Sequence, residues 1–242
     1  MQFFENAFGP YPFRNEKYGH TQFGWGDGME HTTISFTGNS RRGLIAHELA
    51  YKWFGNKVTC SSWQDIRLNE SFATCLTGMT VEHLDGRAAF KSQRAALTNN
   101  TTSSTCGSVY VPAQDTLNVG RVFSSRLIYN KGAMVLHMLR RTLGDAAFTN
   151  GLQNYLNDPA FSFNYAKTAV FKNFIEQQTA VPLTQFLMTG FMGRATQLIT
   201  FGTSNPIPRH CACRFSSSKA TRLYRFLRVI YHCGSPVPAV RY

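Results

Sequence analysis

Four side chains in this sequence have types and spacing that could do chemistry together: His47, Glu48, Tyr51 and Glu70. Residues four apart on a helix share a face, so two imidazoles at such positions can hold one divalent metal, with a glutamate beside them to take a proton from bound water. Here the first position is His47 and the second is Tyr51. Glu70 follows Tyr51 with 18 residues between, inside the run Leu68-Asn69-Glu70-Ser71-Phe72-Ala73. Taken singly, a His-Glu pair reads as the partly exposed face of an amphipathic helix, and Glu70 as a capping or surface acid.

Two helices must position these groups. Apolar residues Leu44, Ile45, Leu49, Tyr51, Trp53 and Phe54 predict a helix over 43–54, with Asn39-Ser40 ahead as a capping signal and Gly55 as the stop. A second helix is expected over 69–83, ending at Asp85-Gly86, and others over 87–97, 130–143, 146–156, 167–178 and 183–189. Residues 1–40, rich in Gly and aromatics, read as loops and short strands. The Thr/Ser/Asn-rich stretch 98–108 reads as a surface loop. Trp53, Phe54 and Trp63 read as core.

Composition narrows the alternatives. The chain has 242 residues, 43% of them hydrophobic, enough to bury a core without disulfide or metal staples. No apolar run approaches the roughly 20 residues of a membrane span. The net charge is +12, but residues 1–185 hold 17 basic and 13 acidic side chains, while residues 186–242 hold 8 basic and none acidic. No nucleic-acid recognition motif accompanies that charge, so no specific nucleic-acid partner is expected. Six cysteines at irregular spacing make no disulfide framework.

The block from Leu44 to Ala73 resembles the zinc aminopeptidases of the aminopeptidase N family, whose pattern is His-Glu-x-x-His, 18 residues, then Glu. Gly28-Met29-Glu30-His31 is similar to that family's Gly-x-Met-Glu-Asn segment, and Tyr129-Asn130-Lys131-Gly132 to its Tyr-x-Lys-Gly segment. The resemblance implies an α+β, predominantly α-helical, thermolysin-like catalytic domain over 1–186, with the family's N-terminal β-domain missing. It implies one Zn²⁺ held by His47 and Glu70, with Tyr51 in place of the usual third ligand. It further implies Glu48 as the base, Tyr129 as donor to the oxyanion, and Gly28, Met29 and Glu30 in contact with a peptide substrate, Glu30 binding its free α-amino group. Without the family spacing, Glu30 reads as a solvated loop acid and Tyr129 as a packing residue. A secreted or periplasmic location is implied by the family, although no signal peptide is read at the N-terminus.

Four departures stand out. Catalytic zinc takes three protein ligands plus water, and a phenol stays protonated at neutral pH unless a metal drives the proton off. Zn²⁺ is therefore expected to bind weakly and hydrolysis to be impaired, the alternative being an inactive pseudo-peptidase that binds peptide N-termini. Arg67 stands where the family has Trp, and His31 where it has Asn. After 183–186 the family reads Phe-Asn-Asp-Trp-Phe-Tyr-Gly-Glu-Gly-Tyr-Pro-Thr-Tyr; codons for that string, read one base later, give Leu-Met-Thr-Gly-Phe-Met-Gly-Arg-Ala-Thr-Gln-Leu, the residues at 187–198. Residues 187–242 are accordingly expected to be a frame-shifted, poorly ordered basic tail on a partial gene product.

Overall fold

A computed structural model describes residues 1–187 together with Gly190 and Phe191. Most of the tail expected from 187 onward, and the last residues of the helix expected over 183–189, lie outside the described residues.

The described elements run α1 (Gln2–Phe8), β1 (Gly19–Gln22), β2 (Gly28–Met29), β3 (Ile34–Thr37), α2 (Arg42–Ala50), β4 (Val58–Cys60), α3 (Arg67–Thr102), α4 (Val119–Val122), a π-helical turn (Ser125–Lys131), α5 (Gly132–Leu143), α6 (Asp145–Asn157), β5 (Asn164–Ala166), α7 (Thr168–Thr179) and α8 (Thr184–Leu187). This is the predominantly helical α+β architecture the sequence implies. Strands β1 and β2 flank β3, β1 parallel and β2 antiparallel to it, with Met29 opposite Phe36. A second, two-stranded parallel sheet pairs β4 with β5.

Helix α3 is the axis, packed against α2, the π turn and α5. Its first half carries Leu68, Phe72, Ala73, Cys75, Leu76 and Met79, all buried. Phe72 stacks on Phe54 with centroids 4.5 Å apart and meets the edge of Phe171 at 5.3 Å. Fully burying such a ring stabilises by about 1.5–3 kcal/mol, so this aromatic column fixes where α3, and with it Glu70, sits.

Several local expectations need correction. Residues 2–8 form a helix, because Phe4 and Phe8 lie on one face and bury against Trp53 and Phe54. Helix α2 ends at Ala50, not 54: the chain turns so that the amide of Asn56 donates to the Tyr51 carbonyl at 2.8 Å. No side chain caps its start; Asn39 instead accepts from the Arg41 amide. The break expected at Gly86 is present as one residue at φ 82, a left-handed value that glycine adopts freely. The helix resumes and runs to Thr102, absorbing the first part of the expected loop, because Arg126 reaches back to the Thr101 and Ser104 carbonyls. Strands β4 and β5 had no clear alternating signal.

Candidate active site

A cleft of ≈ 660 Å³ opens between β2, α2, the start of α3 and the π turn. Its walls carry Gly28, Met29, Glu30, His47, Glu48, Tyr51, Glu70 and Tyr129, so the structure brings every sequence-expected site residue to one place. Helix α2 supplies His47, Glu48 and, as its C-cap residue, Tyr51. Asn69 secures the first turn of α3 by accepting from the Cys60 amide at 3.0 Å, which anchors Glu70 next to it. The π turn presents Tyr129, and it is braced by Ser71, whose hydroxyl donates to the Ile128 carbonyl at 2.6 Å. A π turn leaves backbone carbonyls less regularly paired than an α-helix does, and such turns recur at functional sites.

The floor is acidic and buried. Glu48 and Glu70 are 3% and 5% exposed, and Oε2 of each is buried with no hydrogen-bond partner among the described residues. Burial, followed by repulsion from Glu30 and Glu70, pushes the Glu48 carboxyl up to about 9. Burial and the neighbouring Glu70 likewise raise Glu30. The phenols of Tyr51 and Tyr129 are driven well above the usual tyrosine value, first by burial and then by the Glu70 charge, with which both also interact by hydrogen bonding. Both rings flank His47, at centroid separations of 5.4 and 5.9 Å.

Behind this floor lies a residue the sequence did not single out. Lys52, completely buried, donates to the carbonyls of Glu30 at 3.0 Å and His31 at 2.5 Å, holding the strand-to-loop exit of β2 against α2. Burial lowers its amine to about 8, against the opposing pull of Glu30 and Glu48. A lysine next to an apolar run reads in sequence as a solvated helix end. Trp63 packs edge-on against Phe123 at 5.6 Å, and both line the cleft in addition to touching the core. Gly28 permits the close approach of β2 to α2, since a Cβ there would lie 2.1 Å from Glu48 Oε1.

Arg67 points away from the cleft. It is buried, donates to Thr168 Oγ1 at 2.9 Å and the Val109 carbonyl at 3.2 Å, and lies over the rings of Tyr110 and Phe191. It acts as a clamp between α3 and the segments that cover it. His31 packs edge-on against Phe36 and does not line the cleft.

Zinc can be tested against these donors. Two ligands each about 2.1 Å from a tetrahedral ion lie about 3.4 Å apart, and His47 Nε2 stands 3.4 Å from Glu70 Oε2. That half of the set fits. The third donor does not: Tyr51 is a buried phenol beside a carboxylate that strengthens its hold on its proton. Among the described residues no group of three His, Cys, Asp or Glu side chains could hold a metal. The residues present therefore do not fit a three-ligand catalytic zinc.

A family model described as the peptidase family M1 domain matches residues 30–191. Among curated relatives, the chain is 36% identical over 124 residues to an aminopeptidase N of Lactobacillus delbrueckii subsp. lactis, covering 49% of this chain and 15% of the relative. It is 35% identical over 130 residues to a probable aminopeptidase 1 of Saccharolobus solfataricus, covering 51% and 16%. An M1 zinc metallopeptidase from Deinococcus radiodurans superposes with a TM-score of 0.67 at 25% identity, over 85% of this chain and 44% of that one. A mutant of that enzyme bound to a Tyr-Ser-Ala substrate gives a TM-score of 0.68 at 26% identity. The matched region is thus less than a fifth of the length of these curated relatives.

Proposed function

This chain belongs to peptidase family M1, and on that premise we propose that it is an aminopeptidase-type domain that receives the free N-terminus of a peptide but hydrolyses it poorly, because Tyr51 stands at a zinc-ligand position. One observation carries the reading: His47 Nε2 and Glu70 Oε2 keep the 3.4 Å spacing of two ligands of one ion, in the same cleft as Glu30, Glu48 and Tyr129.

The chain's own residues account for recognition. An α-ammonium entering the cleft meets the Glu30 carboxylate, and its charge offsets the burial, and after it the mutual repulsion, that raise Glu30 and Glu48. Glu48, packed on Gly28, lies on the adjoining wall. The Tyr129 phenol, held protonated, is a donor for the carbonyl oxygen of the first peptide bond. Apolar side chains of Met29, Leu44, Ile66 and Phe123 line the remaining wall. Metal-assisted hydrolysis needs a third protein donor that Tyr51 does not supply, so any zinc is held weakly and turnover is low.

Binding of a fluorescent peptide with a free N-terminus, compared with its N-acetylated twin, tests recognition. The free peptide should bind and the acetylated one should not, and Glu30→Gln should remove the difference. Equal binding of the two peptides by the parent chain would refute the reading. A second reading, a peptide-binding domain with no hydrolytic activity, is favoured by the burial of the Tyr51 phenol. Zero turnover of an aminoacyl chromogenic substrate at saturating zinc would select it.

A further inference from the structure

Lys52 lies behind the cleft and does not line it, yet it is bonded to Glu30, which does. We propose that Lys52 is a positioning residue for N-terminus recognition: its ammonium, hydrogen-bonded to the backbone carbonyls of Glu30 and His31, fixes where the Glu30 carboxylate stands in the cleft. This deepens the peptide-binding reading and rests on it, since Glu30 is there the receptor of the α-ammonium.

Strand β2 ends at Met29, whose pairing with Phe36 is the last rung of its ladder to β3. Glu30 and His31 follow beyond that ladder, and Thr33 stands at φ 69, a left-handed value unusual for a β-branched residue. A segment of this kind keeps one conformation only where its surroundings fix it. Here the Gly19 amide donates to the Thr33 carbonyl at 2.9 Å, and Lys52 Nζ donates to the carbonyls of Glu30 at 3.0 Å and His31 at 2.5 Å. The carboxylate follows the backbone, because the Glu30 side chain also accepts from its own amide.

The donor end is itself anchored. The Lys52 amide donates to the Leu49 carbonyl at 3.1 Å, and the Lys52 carbonyl accepts from the Lys57 amide at 3.2 Å, so the residue leaves α2 in a fixed turn. Its side chain is completely buried, and Nζ lies 5.6 Å from the centre of the Tyr18 ring, whose hydroxyl stands 3.2 Å from Ser35 Oγ on β3. The ammonium therefore joins the end of α2, the loop after β2 and the sheet. A buried ammonium costs free energy unless its charge and its protons are matched. The match comes from two carbonyls, an aromatic face and the nearby charges of Glu30 and Glu48. An apolar side chain would fill the same space at less cost, so the bonds to residues 30 and 31 are what a lysine adds here.

The test uses the full chain with the fluorescent free-N-terminus peptide and its N-acetylated twin, and reads the ratio of their affinities. Lys52→Met, which keeps the length and loses the donors, should cut that ratio by about tenfold or more, with far-UV circular dichroism unchanged. In a Glu30→Gln background the same substitution should have almost no further effect on binding of the free peptide, because Lys52 acts through Glu30. Lys52→Gln, with a shorter and neutral donor, should fall between the parent and Lys52→Met. A parent that does not discriminate the two peptides would refute the Glu30 reading itself. A parent that discriminates, beside a Lys52→Met variant that discriminates equally, would overturn the role of Lys52 alone, as would full additivity of Lys52→Met and Glu30→Gln. Loss of the fold in both Lys52→Met and Lys52→Gln would also overturn it, the lysine then serving the fold as a whole.

Discussion

The imidazole of His47 and the carboxylate of Glu70 face each other at 3.4 Å across the cleft floor, although they come from different helices and 23 positions apart in the chain. That spacing is a property of the helix packing. The ring of Phe54, in the turn that follows α2, stacks on Phe72 of α3, and Asn69 ties the start of α3 to β4. The geometry of a two-ligand metal half-site thus persists with a phenol at the third position.

Gly28 links the β2 backbone to the Glu48 side chain, and Gly28→Ala separates recognition from folding. The new Cβ would meet Glu48 Oε1 at 2.1 Å and Cδ at 2.4 Å, forcing the carboxylate out of its place on the wall. Binding of a free-N-terminus peptide should weaken by about tenfold, a cost near 1.4 kcal/mol. Far-UV circular dichroism should be unchanged, because the displaced atoms are the far end of one side chain.

Gly132→Ala should act on the fold instead. A Cβ there would lie 1.9 Å from Ser71 Oγ and 2.6 Å from Ser71 Cβ, so α5 must move away from α3. Overpacking of this kind costs about 1–3 kcal/mol. Urea denaturation should show that loss, together with weaker peptide binding, because the Ser71 hydroxyl bond that braces the π turn beneath Tyr129 would also be disturbed.

Acid should weaken the α3–α5 contact through His137. Burial, then the nearby Arg94, Arg140 and Arg141, lower its imidazole to about 4, with Glu82 opposing them, and Arg94 lies 2.8 Å from its Nε2. The folded-state value is below the unfolded one, so the unfolded chain binds more protons between about pH 6.5 and 4. Stability contributed here is complete above that window and lost as pH falls through it. The melting temperature of the parent should therefore drop more between pH 7 and 4 than that of His137→Gln, whose amide oxygen can accept from Arg94 without charging. Parallel pH profiles for the two proteins would count against this assignment.

The sequence identified the helix that carries His47, the helix that carries Glu70 and the family because those rest on local patterns. The pair His47-Glu48, the spacing to Glu70 and the motif around Glu30 are all contiguous or fixed-distance signals. What it missed depends on contacts between distant segments. Helix α1 forms because Phe4 and Phe8 find Trp53 and Phe54. Lys52 is buried because two carbonyls from a loop over 20 residues away meet its amine. Arg67, standing where the family has Trp, turns outward to Thr168 and Val109, a choice set by residues more than 40 positions later. Position 51 was legible in both senses: its residue type announced the missing ligand, and its burial shows why a neutral phenol is stable there.

Zinc affinity measured side by side for the parent chain and Tyr51→His, by competition with a chromophoric chelator, tests the central claim most directly. His47 Nε2 and Glu70 Oε2 already stand 3.4 Å apart, the spacing of two ligands of one ion, so the restored imidazole should complete the set, raise affinity by more than about 100-fold and bring the protein to one zinc per chain. Equal zinc affinity in parent and variant would contradict the account.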